Sequence, residues 1–507
     1  MPESIHLIRE DNIRVRLENT CGVEATLFAR PEVPIQDAAV AELGSLLETQ
    51  RTVERLAEMD QGFFGDERAQ LVRVAVTPDF HKGSGIPIGT VIATRGFVIP
   101  QAIGNDVNCG MRLHTTGYTA EQVRSNLDAL ETKLRHLFFQ GGRDLPMTSA
   151  QRESLFRDGL PGLFESLDAG PRDGLWAFAR QLKLDHMLQR VDRAGRLPAT
   201  AIPGLEDFVA QTRDGQIGSI GGGNHFVELQ VIERIFDGTT AHPWGLSVGQ
   251  VVIMVHAGSV MIGHLCGTRY RRIVKEIYPD GAQRPDNGIC LLPNGGEHAA
   301  TVASFRDSLH NAANVAFGNR MCLAVMALKG LEDVCGPAES ELLYDSPHNL
   351  VWEELLDGEP VWVHRKGACR ARGLAEMADT EFAYYGEPVL IPGSMGASSF
   401  ILAGMGNAEA LWSASHGAGR RMSRGKALKH SDEEFQRFLE EFRVVIPVDL
   451  RSTEMKQRPD IAEQRLAELK KEAPFAYKGI GDVIRTVQEA GMARPVAEVR
   501  PLMTLKG

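Results

Sequence analysis

Five residues of the types that bind divalent metals lie in glycine-rich or strand-end segments of the chain: Asp106, Cys109, His225, His256 and His348. One carboxylate, one thiolate and three imidazoles suit a pair of borderline first-row divalent ions. A sixth segment, SASHGAGR, carries His416 between small residues, with no ligand type beside it. A histidine in that setting suits an exposed nucleophile. The combination predicts an enzyme that acts on phosphates.

Two of these segments have a second interpretation as ordinary turns. NDVNCGMR places Asp106 and Cys109 three residues apart, where both side chains can face one ion and the thiolate can bridge two. The same pattern is typical of an aspartate that caps turn amides beside a buried cysteine. YDSPHNL gives His348 in a turn marked by proline, with Asn349 beside it. Each segment therefore supports a metal site only in combination with the others.

The two remaining metal-ligand candidates belong to strand-like segments. In GGGNHFVELQV the glycines let the backbone approach a ligand, and the alternation puts His225 on one face of a strand and Glu228 on the other. From that face Glu228 can meet a base edge, whereas an ordinary edge strand after a turn is the alternative. VVIMVHAGS ends an apolar strand at His256, and α/β sheets bind ligands at the carboxyl ends of strands. A buried core histidine is the alternative there.

Small-residue loops suit an anion at two places. In SASHGAGRRMSR an incoming phosphate would meet amide donors and guanidinium groups beside His416, and PGSMGASS (392–399) is the second such loop. The chain has no GxxxxGK[ST] sequence, which argues against a P-loop NTPase. KGSG (82–85) and KGIG (478–481) fit K-x-x-G but lack the acidic residue and flanking motifs of a lysine-adenylylating ligase.

Strands and helices must bring these segments together. Short apolar runs broken by Gly and Pro predict strands between residues 70 and 115, with Asp79, His81, Asp106 and Cys109 in turns. Helical spacing predicts one or two helices over 35–60, and a Thr119–Gln122 capping box opens a helix over 119–141. The sequence then predicts helices to about residue 213, followed by strands over 225–231 and 251–256.

The second half continues the mixture. We predict a helix over 303–329 ended by Gly330, strands over 361–364 and 388–391, and capping boxes at Ser431–Glu434 and Asp460–Glu463. A helix over 482–491 and a strand-like C-terminal segment follow. No repeat or linker divides the chain, so the predicted fold is α+β, one large mixed α/β catalytic domain over 1–507. It comprises an N-terminal helical and strand region (1–69) and a helical insert (about 119–213).

Composition allows this interpretation without requiring it. The 507 residues are 43% hydrophobic and 24% charged, as in ordinary globular proteins. The chain shows neither a signal-peptide core nor about 18 consecutive apolar residues, and its seven cysteines form no CxxC pair, so we expect a cytoplasmic protein with reduced thiols. The net charge of -11 argues against nucleic acid, but TRYRRIVK (268–275) and GRRMSRGKALKH (419–430) are locally basic. They suit either a phosphate channel or solvated surface.

Nine segments, in order, resemble those of the RtcB-type RNA-splicing ligases from about residue 70 to the C-terminus: PDFHKGSGIPIG, GNDVNCGMR, GGGNHFVE, VHAGS, YDSPHN, VHRKGACR, VLIPGSMG, SHGAGR and the terminal KG. The resemblance implies a GTP- and manganese-dependent enzyme that joins RNA 3′-phosphate or 2′,3′-cyclic phosphate ends to 5′-hydroxyl ends, in RNA repair or tRNA splicing. It also implies an archease-like activator as a partner.

The resemblance further implies roles for single residues. Cys109 would bridge two Mn²⁺ ions, with Asp106 and His225 at one ion and His256 and His348 at the other. His416 would attack the α-phosphate of GTP and carry GMP. The nucleotide would be bound by Asn224, Glu228, Asn349, Ser394, Ser399, Ala418, Gly419 and Lys506. We consider Arg269, Arg271, Arg420 and Arg421, with Arg424, as RNA contacts.

One position departs from the family pattern. Val260 stands where the family usually has arginine, and loss of a guanidinium there weakens the hold on an RNA phosphate. Arg269 or Arg271 can substitute, and a divergent paralogue specialised for RNA repair is consistent with the change. Two rival functions stay open: a two-metal phosphoesterase acting on nucleotides or cyclic phosphates, and a catalytically silent RNA-binding relative.

Overall fold

Two mixed β-sheets carry the structure, a computed structural model that describes residues 5–65, 68–170, 172–210, 215–279, 281–282 and 287–507. The seven-stranded sheet has the order β1-β2-β3-β4-β5-β13-β12, and only its β3–β4 pair is parallel. Its strands are β1 (His6–Arg9), β2 (Arg14–Glu18), β3 (Glu24–Phe28), β4 (Gln70–Ser84), β5 (Ile86–Arg95), β12 (Asn349–Leu356) and β13 (Glu359–Lys366).

The eight-stranded sheet has the order β11-β7-β9-β8-β19-β16-β15, with β18 beside β19. Its strands are β7 (Gly110–Thr119), β8 (Phe226–Ile235), β9 (Gln250–Ala257), β11 (Ser340–Pro347), β15 (Pro388–Ile391), β16 (Ser399–Gly404), β18 (Val444–Val445) and β19 (Ala493–Leu505). Two small pairs join β6 (Phe97–Val98) to β10 (Leu292–Pro293) and β14 (Ala368–Arg370) to β17 (Ser413–Ser415).

Helices cover the sheets and fill the space between them. The first group is α1 (Asp37–Leu47), α2 (Thr49–Met59), α3 (Ala120–Arg124), α4 (Leu127–Phe139), α5 (Ser149–Ser166), α6 (Gly174–Ala179), α7 (Leu184–Gln189) and α8 (Glu206–Ala210). The second is α9 (Gly238–Ala241), α10 (Met261–Ile277), α11 (Ala299–Cys335), α12 (Arg424–Leu428), α13 (Asp432–Glu441), α14 (Thr453–Lys456), α15 (Pro459–Lys471) and α16 (Ile480–Glu489). Short 3-10 helices lie at Pro100–Ile103, Leu167–Ala169, Asp192–Gly195, Gly296–His298 and Pro474–Ala476.

The continuous apolar run of β9 reflects burial on both faces. Val251, Ile253 and Val255 pack into the core that contains α11, whereas Val252 and Met254 pack into a second core on the other face. A strand covered on both sides loses the usual alternation of apolar and polar residues. This strand therefore has its His256 end fixed from both faces.

Several local predictions are confirmed and others are wrong. The 35–60 region forms α1 and α2, and Thr119 makes both bonds of its capping box at α3. Between 119 and 210 the described chain is helical, while residues 171 and 211–213 of the expected insert lie outside the described residues. The chain breaks between α3 and α4, so the single helix predicted over 119–141 is two.

Three local predictions are corrected. Helix α11 does not end at Gly330, because this glycine lies inside the helix where a Cβ atom would meet Leu134 Cδ2 at 2.6 Å. Asp460 does not cap α15, which begins at Pro459, a residue suited to the first helical position. Asp79 and His81 lie within the irregular outer half of β4 instead of in a turn.

The predicted class, an α+β fold of a single large mixed domain, is confirmed by this arrangement. None of the described helices is both long and apolar enough to cross a bilayer.

Candidate active site

Four ligand candidates meet at one end of the eight-stranded sheet. Cys109 directly precedes β7, and His348 directly follows β11, the antiparallel neighbour of β7. His256 is the penultimate residue of β9, and His225 directly precedes β8, the antiparallel neighbour of β9. Since an antiparallel neighbour ends where its partner begins, and β7 and β9 are also antiparallel, these four side chains converge.

The atoms of this cluster lie close enough to hold two ions. Cys109 Sγ lies 3.3 Å from His225 Nε2 and 3.2 Å from His256 Nε2. His256 Nε2 and His348 Nε2 are 3.2 Å apart, and His225 Nε2 is 2.8 Å from Asp106 Oδ2. Two groups of three potential ligands result, Asp106/Cys109/His225 and Cys109/His256/His348, each with its ligand atoms within 4.8 Å of one another. They share the Cys109 sulfur.

The chemistry of this donor set fits divalent cations. His225 Nδ1 lies 3.0 Å from the Ile220 carbonyl oxygen, which can only accept, so Nδ1 carries a proton and Nε2 can donate its lone pair to a metal. Burial lowers the pKa values of His256 and His348 well below the usual range, which keeps both imidazoles neutral as ligation requires. Burial and the Asp106 carboxylate raise the pKa of the Cys109 thiol, and a coordinating cation would reverse that effect.

His416 lies beside this cluster and is oriented by a buried carboxylate. Its ring centroid is 4.8 Å from that of His348, and its Nδ1 is 2.6 Å from Asp79 Oδ2. Thr77 donates a hydrogen bond of 2.6 Å to the other Asp79 oxygen. Although burial opposes ionisation, His416 and Thr77 lower the pKa of Asp79, so its carboxylate accepts a hydrogen bond from Nδ1–H. The Nε2 lone pair of His416 is thereby left for reaction.

Two glycines allow this close approach. At Gly419, with φ +70°, a Cβ atom would lie 2.0 Å from the Asp79 carbonyl oxygen. At Gly367, with φ +65°, it would lie 3.0 Å from His416 Cε1. Because a side chain at either position would displace the Asp79 strand or the imidazole, these segments require glycine.

Two cavities meet at His416 and Asn224, which line both. The first, here called the Glu228 cavity, is also lined by Glu228, Ser394, Ala418, Gly419 and Lys506. The second, here called the Cys109 cavity, is also lined by Asp106, Cys109, His225, His348 and Asn349. The His416 imidazole thus stands between the Glu228 cavity and the cluster of metal-ligand side chains in the Cys109 cavity.

Glu228 and Lys506 are buried and already hydrogen-bonded. Glu228 accepts bonds of 2.6 Å from Thr504 and 2.7 Å from Gln230, and burial raises its pKa to about 7. Lys506 donates to the carbonyl oxygens of Gly223 and His225, and burial lowers its pKa to about 8. Both side chains have fixed positions before any ligand arrives.

Two of the residues expected at the nucleotide, Ser399 and Asn349, do not line the Glu228 cavity. The Ser399 hydroxyl accepts a 3.1 Å bond from the amide of Gly393, which itself lines that cavity. Asn349 lines the Cys109 cavity, accepts from the Gly367 amide at 2.8 Å and donates to the Asp106 carbonyl at 3.3 Å. These contacts are those of residues that position neighbouring segments.

The candidate RNA arginines differ in what they contact. Arg420 and Arg424 each form a 2.8 Å ion pair with the buried Glu472. Arg421 donates to the Phe475 carbonyl at 2.7 Å and lines neither cavity. Arg269 donates to Ser304 at 2.6 Å and faces a separate cavity. Of the five candidate arginines, Arg271 and Arg424 line the Cys109 cavity, and Arg420 and Arg424 line the Glu228 cavity.

Sequence reasoning missed three buried residues that hold the site. It noted Asp79 without giving it a role, and it did not single out Asn319 or Arg320 of α11. Asn319 binds the Gly218 amide and the Gly258 carbonyl, and Arg320 binds the carbonyl oxygens of Asn108 and Ala257. Polar residues inside an otherwise apolar helix were the available signal, because such groups stay buried only when hydrogen-bonded.

Fold and site together define a class: a large mixed α/β enzyme in which a carboxylate-bound histidine adjoins a cluster of metal-ligand types. A family model described as "tRNA-splicing ligase RtcB" matches residues 68–507. The tRNA-splicing ligase RtcB of Thermococcus kodakarensis is 33% identical over 449 residues, covering 85% of this chain and 87% of that protein. The RNA-splicing ligase RtcB of Mycobacterium tuberculosis is 33% identical over 441 residues, covering 85% and 96%. The chain belongs to the RtcB family and is an RNA ligase, as the resemblance predicted.

Proposed function

We propose that this RNA ligase joins ends bearing a 3′-phosphate or 2′,3′-cyclic phosphate to 5′-hydroxyl ends, using GTP and two manganese ions, through GMP bound to His416. One observation carries the proposal. The His416 ring, hydrogen-bonded through Nδ1 to Asp79, stands 4.8 Å from the His348 ring and lines both cavities.

In the first step, His416 Nε2 forms a bond to the α-phosphorus of GTP while the bond from that phosphorus to the bridging oxygen breaks and pyrophosphate leaves. Asp79 keeps the proton on Nδ1 and stabilises the imidazolium character that develops, as a carboxylate does for a nucleophilic or basic histidine. Asn224, which lines both cavities, would donate to a phosphate oxygen.

Guanine suits the Glu228 cavity. A guanine base presents N1–H and N2–H donors, and the Glu228 carboxylate has acceptor capacity beyond its bonds to Thr504 and Gln230. Adenine offers no such pair of donors on that edge. This difference supports GTP as the nucleotide.

In the next steps, an oxygen of the RNA 3′-phosphate attacks the phosphorus on His416, and the phosphorus–nitrogen bond breaks. The 5′-hydroxyl of the second strand then attacks the RNA phosphorus, losing its proton to solvent and expelling GMP. A cyclic phosphate first takes up water and opens to the 3′-phosphate. Asp106, Cys109, His225, His256 and His348 would hold the cations, whose chemistry is to neutralise and orient the reacting phosphates.

Partners and location belong to the same proposal. The substrates we propose are broken RNA or spliced tRNA halves, with an archease-like protein as activator. Cys109, Cys266, Cys335 and Cys369 are free thiols, which supports a reducing compartment such as the cytoplasm.

A joining assay tests the proposal. RNA strands with 2′,3′-cyclic phosphate and 5′-hydroxyl ends are incubated with enzyme, Mn²⁺ and GTP, and product length is measured. We expect joining by wild type and by His242→Ala, an exposed histidine outside both cavities, and none by His416→Ala. Hydrolysis of GTP or of the cyclic end without joining would support the phosphoesterase instead. RNA binding without either reaction would support the silent relative.

A further inference from the structure

We propose that one face of α10, carrying His264 and Arg271, binds the phosphate-terminated RNA strand and delivers its end to the metal cluster. The inference rests on the proposed function and names the surface that selects this substrate.

The lining of the Cys109 cavity, to which α10 contributes Arg271, is basic. Val260, His264, Tyr270 and Arg271 line the cavity on that side, and Lys82 and Lys366 line it as well. Among the described lining residues, Asp106 is the one carboxylate, and it belongs to the metal cluster. A cavity with an excess of cations at its wall and a metal-binding cluster at its base suits a polyanion.

The spacing along α10 places the His264 and Arg271 side chains on the same face of the helix. His264 and Arg271 are seven residues apart, which is close to two helical turns, so they share a face and are separated by about 10 Å along the axis. Thr268 lies between them on the same face, and all three side chains are exposed. The face therefore presents donors at two successive turns of the helix, within the cavity that the cluster also lines.

Arg271 differs from the neighbouring arginines in having no competing anion. It donates to Thr268 Oγ1 at 3.3 Å and lies 6.0 Å from the Tyr270 ring centroid, and among the described residues no carboxylate pairs with it. Arg420 and Arg424, by contrast, share Glu472. A guanidinium that is not paired with a carboxylate can bind an RNA phosphate without first breaking an ion pair.

Val260, directly before α10, has no hydrogen-bond donor in its side chain, so the phosphate-binding donors of this wall begin one helical turn later. It lines the cavity next to the cluster but presents only methyl groups, and its φ of +51° is a conformation that a β-branched residue rarely adopts. Strained backbone of this kind concentrates at functional sites. The first α10 side chain that can donate to a phosphate on this wall is therefore His264.

The test separates RNA capture from guanylylation. Enzyme labelled with α-labelled GTP and Mn²⁺ is freed of nucleotide and mixed with an oligoribonucleotide bearing a 3′-phosphate, without a 5′-hydroxyl partner, and transfer of label to RNA is followed. For Arg271→Ala we expect unchanged labelling of the enzyme but a roughly tenfold rise in the RNA concentration for half-maximal transfer. His264→Ala should act in the same direction. Arg272→Ala, which removes an adjacent exposed guanidinium outside the cavity, should behave as wild type.

A second readout does not depend on His416. Equilibrium binding of the same RNA without GTP should weaken in Arg271→Ala, and the slope of log K against log salt should become less negative by about 0.7 for the lost phosphate contact. Binding of an oligoribonucleotide that ends in a 3′-hydroxyl should weaken little in Arg271→Ala. If Arg271→Ala binds and transfers like Arg272→Ala, or weakens both RNAs equally, the inference is overturned. If wild type takes up no label but Arg271→Ala still binds the 3′-phosphate RNA more weakly than Arg272→Ala, the proposed function is contradicted. The RNA-binding role of α10 is then still supported.

Discussion

The two cavities that meet at His416 satisfy their polar groups in opposite ways. In the Glu228 cavity the charged groups pair within the protein: Glu472 accepts from two arginines, and Lys506 donates to two carbonyl oxygens. In the Cys109 cavity the electronegative atoms face one another, with the Cys109 sulfur within 3.3 Å of two imidazole nitrogens. Paired groups make a rigid, directional site that suits a base, whereas converging ligand atoms suit cations.

The largest expected effect comes from the shared sulfur. Cys109→Ser replaces a thiolate that belongs to both ligand groups by a poor ligand, so we expect Mn²⁺ content to fall from about two per chain to below one. Joining should fall by about 10,000-fold or more, because the cations would contribute several kcal/mol of charge stabilisation. Metal analysis after gel filtration and the joining assay measure both.

Two controls sharpen this result. Cys266→Ser changes a buried thiol that donates to the Ser308 carbonyl and should keep both ions. His348→Ala removes a ligand from one group only and should leave about one ion. Two ions retained by Cys109→Ser would break the distinction between the cavities.

The second effect concerns His416, which lines both cavities, and the Asp79 carboxylate that orients it. Asp79→Asn keeps the size of the side chain but removes the carboxylate that accepts from His416 Nδ1. By analogy with carboxylate-oriented catalytic histidines, the rate of enzyme labelling by GTP should fall by about 100- to 10,000-fold with little change in KM. Rapid-quench kinetics measure this rate.

Thr77→Val, which removes only the hydroxyl bound to Asp79, is the matched control and should cost about tenfold or less. A labelling rate for Asp79→Asn equal to that of wild type would show that Asp79 does not orient the nucleophile.

The smallest effect is a pH dependence confined to the Glu228 cavity. Burial raises the pKa of Glu228 to about 7, and only the ionised carboxylate accepts both guanine donors. KM for GTP should therefore be lower above pH about 7, where the carboxylate is ionised, and higher below that pH, where it is protonated. Labelling kinetics between pH 6 and about 8.5, on either side of that pKa, measure the change.

Glu228→Gln should abolish that inflection, raise KM for GTP by about 10- to 100-fold and reduce discrimination against ATP. If the inflection persists in Glu228→Gln, another group controls nucleotide binding.

The same contrast explains what the sequence could predict. Metal-ligand types in Gly-rich and strand-end segments were visible, and strand register brings Asp106, Cys109, His225, His256 and His348 together. The hydrogen-bond partner of His416 was not visible in the sequence. Asp79 lies 337 residues away, in a strand whose irregular path resembles a turn in sequence. Helix α11 was predicted too short since a glycine that serves packing looks the same in sequence as one that ends a helix.

The central claim is that His416 takes up GMP beside the metal cluster. The most direct measurement is peptide mapping of enzyme incubated with Mn²⁺ and α-labelled GTP. We predict an acid-labile, base-stable label on the peptide that contains His416, and none in His416→Ala. Label on another residue, or label that persists in His416→Ala, would contradict the account.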